Sequence, residues 1–176
     1  IHKMVDALAL TLRYCIGGKE FVPLKEEVAH IENYMLIQKA RFGKRLLIVY
    51  DLEDECHEFE IPRLSLQSLV ENSVMHAVEK TKFPVTIVIA ARMESRHMVI
   101  RVTDNGPGMN EDRLKQVRNS LLESWEDRQG ESIGLKNVNT RLELLYGNEA
   151  GIGIDSDESG TETRMIMPRK DGGTVV

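Results

Sequence analysis

Apolar residues first recur along the chain at helical spacing. Met4, Val5, Leu8, Leu12 and Cys15 or Ile16 fall near a period of about 3.6 residues, and Gly17-Gly18 stops the run. Phe21-Val22 leads to Pro23, a suitable first helical residue. Apolar positions 24, 28, 31, 34, 35 and 42 then mark a second helix that ends at Gly43, so the two helices form a hairpin. The run "LLIVYDL" (46–52) predicts a strand and "HEFEI" (57–61) a shorter one. Pro62 opens a third helix over Leu64 to Glu79. "VTIVIAARM" and "HMVIRVTD" form a hairpin across "ESR". Residues 110–129 are polar with weak helical patterning, and "IGLKNVNTRLELLYG" is an amphipathic helix with Gly147 at its C-cap. "GIGIDSD" and "ETRMIMP" close the chain as a second hairpin. Alternating strands and helices with two antiparallel hairpins predict an α/β two-layer sandwich. A mixed sheet lies on one side, helices on the other, and a helical segment precedes them.

Composition narrows the classes. The chain has 176 residues, 41% apolar and 29% charged, enough for one domain with a real core. A net charge of −5 argues against a nucleic-acid binder, which usually shows a basic face. Cys15 and Cys56 follow no metal-ligand spacing and read as idle thiols in a reducing compartment. No apolar run approaches the roughly 20 residues of a membrane span. The opening "IHKMVDALAL" has no initiator Met and no signal-peptide pattern, so a fragment is expected, with any sensor or membrane part upstream.

Four segments carry candidate chemistry. On the helix 64–79, Ser65, Ser68, Asn72, His76 and Glu79 make a polar stripe flanked by Glu71 and Met75. An amide oxygen on a rigid helix suits Mg²⁺, although a solvated face would show the same pattern. In 104-DNGPGM-109, Asp104 ends a buried strand, where it could accept a hydrogen bond from an exocyclic amine. Gly106 and Gly108 would let the backbone turn and approach a flat ligand, or merely form a turn. In 132-SIGLKNV-138, Gly134 sits in the first turn of a helix, a ready anion site, and Lys136 adds positive charge. In 160-GTET-163, Thr161 could place a hydroxyl beside Asp104, or simply follow a hairpin glycine.

Their order is Glu-Asn-x-x-x-His, Asp-x-Gly-x-Gly, Gly-Leu-x-Asn, then Gly-Thr. This order resembles the ATP-binding domain of the gyrase, Hsp90, histidine kinase and MutL superfamily, whose Bergerat-type fold is a two-layer sandwich. "LRYCIGG…VPLKEEVAHIENYMLIQKARFG" with "IPRLSLQSLVENSVMHAV" narrows the resemblance to LytS/YesM-type bacterial sensor histidine kinases, over roughly residues 8–168. It implies ATP and Mg²⁺ as cofactors, with Asn72 as the Mg²⁺ ligand. It makes Glu71 the N-box acid and proton acceptor, and sets His76 on the phosphate side. Asp104 would bind the adenine amino group with Thr161 and Gly160 assisting. Gly106 and Gly108 would hinge a lid spanning 109–131. Ser132, Gly134, Leu135, Lys136 and Asn137 would form the phosphate-side glycine box. Met75, Ser132 and Ala77 depart from the family's Lys, Gly and Gly.

The implied organisation is residues 1–42 as the end of a dimerisation region, 43–170 as the ATP-binding domain, and 171–176 as a disordered tail. The implied activity is γ-phosphoryl transfer from ATP to a histidine upstream, for relay to a response regulator. A homodimer, a cytoplasmic placement and a membrane-bound full-length protein are expected with it, and no nucleic-acid partner. His2, His30, His57 and His97 lack the family's acceptor context. Another ATPase or serine kinase of the superfamily, or a degenerate nucleotide-binding module, are the rival readings.

Overall fold

The computed structural model describes residues 2–122 and 133–169. The expected tail, Ser132, and most of the second half of the expected lid lie outside them.

Helix α1 (His2–Ile16) leads through Gly17-Gly18 to a short strand β1 (Phe21–Pro23) and to α2 (Leu24–Phe42). Strand β2 (Leu46–Leu52) follows, then β3 (Glu60–Pro62) and α3 (Ser65–Ser73). The hairpin β4 (Val85–Glu94) and β5 (His97–Asp104) precedes helices α4 (Glu111–Leu122) and α5 (Ile133–Tyr146). Strands β6 (Gly151–Asp157) and β7 (Gly160–Pro168) complete the fold. Five strands form one sheet in the order β2-β4-β5-β7-β6. Only β2 and β4 pair in parallel, and the crossover they need is supplied by α3. The helices pack on one face over Leu66, Leu69, Ile87, Ile89, Ile100, Leu142 and Met165. The two-layer α/β sandwich with a mixed sheet is therefore the observed architecture.

Several boundaries differ from the sequence expectation. Residues 57–59 are not a strand. Their carbonyls cap α2 instead: Leu24 and Lys25 donate backbone N–H bonds to Phe59 and His57 at 2.9 and 3.1 Å. The short strand starts at Glu60 and pairs with β1, outside the main sheet. Pro23 ends β1 rather than opening the helix, with ψ at 143°. The third helix does not run on to Glu79 as an α-helix. After Ser73 it becomes a π-turn over Val74–Val78, closed by the bond from Glu79 N to Val74 O at 3.1 Å. The weakly patterned stretch after Asn110 forms α4, docked by buried Leu114, Val117 and Leu121. Its Arg118 donates to the Ile154 carbonyl at 2.9 Å and pairs with Asp155. Apolar residues spaced three and four apart suffice to fix this helix on the sheet, so the first half of the expected lid is a packed element.

Candidate nucleotide site

The strand wall is set by the period of two. On β5, Met98, Ile100, Val102 and Asp104 face inward in sequence, so Asp104 takes a core position with a carboxylate. On β7, Thr161, Thr163, Met165 and Met167 do the same, and the register sets Asp104 opposite Thr161. Asp104 is 5% exposed, and burial pushes its carboxyl above the ordinary carboxylate range. The Gly106 and Thr161 backbone amides oppose that rise. The buried Ser73 hydroxyl lies close enough to lower the value too, yet no aligned hydrogen bond ties it to a partner among the described residues.

Glycines close this wall by contact. A side chain at Gly106 would run into Ala77 on the π-turn, which accounts for small residues at both positions. At Gly108, with φ +63°, a Cβ would collide with the Asp157 carbonyl. Ser156, which has no counterpart in the sequence motifs, ties the loop to the hairpin. Its hydroxyl accepts from Met109 N at 2.9 Å and lies 2.8 Å from the Thr161 hydroxyl.

The helix wall is α3 with its π-turn. Asn72 and His76 are shared by two cavities. One, of about 310 Å³, is lined by Pro107, Gly108, Met109, Val117, Ile154 and Thr161, together with the cationic Lys80 and Arg113. The other, of about 100 Å³, is lined by Ser68, Glu71, Met75, Gly134 and Leu135. Asp104, Gly160 and Thr161 border a third opening of about 370 Å³, joined to the first through Thr161. A Cβ added at Gly134 would meet only Ser68, at 3.8 Å, so packing does not demand glycine there. Lys136 is buried and Asn137 exposed, and neither lines these cavities. Lys80 and Arg113 were not apparent from the motifs, because their approach depends on the π-turn and on α4.

No group of three or more acidic, histidine or cysteine side chains is placed to hold a metal among the described residues. The donor set still fits a hard cation that shares its shell with phosphate. No hydrogen bond ties the half-buried Asn72 amide to another described residue, and Glu71 adjoins it on the same cavity wall.

The site rests on a buried carboxylate from α2. Glu27 is fully buried and accepts from Leu64 N at 2.8 Å and Leu66 N at 3.2 Å, at the start of α3. Leu64 sits at φ +64°, a conformation that costs a bulky residue roughly 1–3 kcal/mol. A carboxylate at a helix N-terminus offsets this through charge-assisted bonds and the helix dipole. The phenol of Tyr14 also donates to Glu27.

Comparison with known proteins agrees with this geometry. Residues 62–171 match the model described as "Histidine kinase-, DNA gyrase B-, and HSP90-like ATPase", and residues 1–46 match "Histidine kinase". Sensor histidine kinase YesM of Bacillus subtilis is 37% identical over 96% of this chain, which covers 28% of that protein. Sensor protein LytS of Bacillus cereus is 36% identical over 97% of the chain and 29% of its own length. The chain thus spans under a third of these relatives. Among solved structures, the catalytic domain of histidine kinase ThkA superposes with a TM-score of 0.62 at 19% identity, over 86% of this chain and 99% of that one. That likeness shows the fold. The chain belongs to the histidine kinase-, DNA gyrase B- and HSP90-like ATPase family.

Proposed function

We propose that this domain binds Mg²⁺-ATP and transfers the γ-phosphoryl group to a histidine on a helix outside residues 2–169, from which an aspartate of a response regulator takes it. The observation that carries the reading is the placement of a buried carboxylate, Asp104, opposite Thr161 on one wall. Asn72 and Glu71 stand on the facing helix. Asp104 accepts from the adenine amino group, and Thr161 supports that contact. Asn72 holds Mg²⁺, which neutralises phosphate charge when bound. Backbone amides at the start of α5, beside Gly134, meet the phosphates.

A neutral imidazole is already nucleophilic, so the domain's work is positioning and charge stabilisation. As the imidazole nitrogen attacks the γ-phosphorus, ADP departs and the imidazole proton passes to Glu71. His76, Lys80 and Arg113 supply positive or hydrogen-bonding groups around the same cavity. The intact kinase is a membrane-bound homodimer with this domain in the cytoplasm; no described helix is long and apolar enough to cross a membrane.

One observation favours a weaker second reading, a nucleotide-binding module without turnover. Met75 is 47% exposed and puts a thioether on the phosphate-side cavity, at the position where the resemblance implies a lysine. Labelling the full reading frame with γ-labelled ATP separates the two. Kinase activity gives acid-labile phosphate that Glu71→Gln slows, whereas nucleotide binding without any label marks the degenerate module.

A further inference from the structure

One face of α2 is turned toward α3 by residues spaced three and four apart: Glu27, His30, Ile31 and Tyr34. Glu27 caps α3 and Ile31 fills the core. His30 does something else. It is 3% exposed, its ring is stacked on Tyr14 of α1 with centroids 4.2 Å apart and 18° between planes, and its Nε2 lies 2.6 Å from the Gln67 side-chain oxygen. The Gln67 amide nitrogen in turn donates to Glu71 Oε1 at 2.6 Å.

This order fixes the protons. With its N–H₂ end on the carboxylate, Gln67 turns its carbonyl to His30, so His30 Nε2 must carry the hydrogen. Reversing the amide would press a carbonyl oxygen against a carboxylate. A Gln–Glu pair four residues apart on a helix is ordinarily a weak surface contact. Here a buried imidazole from a second helix holds the far end of Gln67, and a tyrosine from a third helix holds the imidazole. The Tyr14 phenol is pushed well above its ordinary range by burial and by Glu27, so it stays protonated and donates to Glu27.

We propose that Gln67, oriented by His30, is a positioning residue for Glu71, and that Tyr14 extends this constraint to α1. The inference rests on the reading of Glu71 as proton acceptor. A glutamate side chain left to itself samples several rotamers, and a misplacement of about 1 Å from the productive geometry costs on the order of 10²-fold in rate. The Gln67 bond occupies Oε1 and leaves Oε2 to take the proton.

The test is the rate of ATP-dependent histidine phosphorylation of the full reading frame, with Mg²⁺-ATP affinity and thermal unfolding measured on each variant. Gln67→Leu should lower kcat on the order of tenfold or more while KM for ATP stays within about twofold. Added to Glu71→Gln it should cause no further loss, because both act through one proton transfer. His30→Leu should reproduce the Gln67→Leu defect, and His30→Gln, which keeps an N–H toward Gln67, should restore most of the rate. An unchanged kcat in Gln67→Leu overturns the positioning role, as does a Gln67→Leu loss that persists undiminished in the Glu71→Gln background. Should Glu71→Gln itself leave the rate intact, the proton-acceptor reading fails and the positioning role falls with it.

Discussion

The two walls of the candidate nucleotide cavity are held in place by different means. On the strand wall, Asp104 and Thr161 are fixed by a ladder: each is the next inward residue in an alternating series, and cross-strand pairing sets them face to face. On the helix wall, Asn72, Glu71 and His76 depend on groups distant in sequence. Glu27 caps the helix, His30 and Gln67 brace it, and a π-turn sets its far end. A ladder is robust to loss of any one side chain, because its bonds are backbone bonds. A helix end held by one carboxylate is not. The strand wall should therefore fail through backbone collisions, and the helix wall through single side chains.

The largest effect is expected at the glycine of the hairpin. Gly160 has φ +144°, and a Cβ there would overlap the Asp104 carbonyl. Gly160→Ala should destabilise by roughly 4 kcal/mol, from backbone strain plus overpacking. Urea unfolding would read this directly, and a loss under about 1 kcal/mol would show that the strand wall can yield.

Next comes the helix wall's support. Glu27→Ala leaves the amides of Leu64 and Leu66 and the Tyr14 phenol without their acceptor. The expected cost is roughly 3 kcal/mol, with ATP affinity falling in step because the start of α3 loosens. Unchanged unfolding in Glu27→Ala would mean that the cap is ornamental and the two walls are built alike.

A smaller and opposite effect is expected at Asp104. Burial holds its carboxyl above its ordinary 3.8, so the folded chain favours the protonated form. That contribution to stability is present below 3.8 and is lost as pH rises through the higher folded-state value. Asp104→Asn removes the titration. The unliganded variant should thus gain stability relative to the parent between about pH 4 and neutrality, read as a rising difference in Tm. A falling difference would show that the carboxylate is stabilised where it lies.

The smallest effect belongs to Lys80→Ala, an exposed residue lining the cavity of about 310 Å³. An exposed charge facing phosphate through solvent is worth a few tenths of a kcal/mol to about 1. ATP affinity should drop about twofold at low salt and adenosine affinity not at all. An equal loss for both ligands would place Lys80 outside the phosphate end.

The contrast between the walls also explains what was legible in the sequence. Alternation in "HMVIRVTD" carried Asp104 into the core position where it is found, and "GTET" supplied its partner. The polar stripe Ser68, Asn72 and His76 was likewise visible as a helical period. Four things were not. The segment 57–59 has strand-forming residues, yet its carbonyls are taken up as a cap for α2. The π-turn leaves no local mark that distinguishes it from a continuing helix, so the approach of Lys80 to the cavity was hidden. Ser65 read as part of the polar stripe, but it is buried and bonds back to the Pro62 carbonyl. The Glu27–Tyr14 and His30–Gln67 contacts join residues 13 and 37 apart in sequence, which no periodicity can pair.

The central claim is that Asp104 reads the adenine and Asn72 the metal, each from its own wall. Calorimetric titration of ATP against the parent chain, Asp104→Ala and Asn72→Ala, with and without Mg²⁺, tests it most directly. Asp104→Ala should lose about 1.5–3 kcal/mol of affinity, tenfold or more, in both conditions. Asn72→Ala should bind ATP alike with and without Mg²⁺, at the affinity the parent shows without the metal. ATP affinity left intact in Asp104→Ala, or a Mg²⁺ effect left intact in Asn72→Ala, would contradict the assignment.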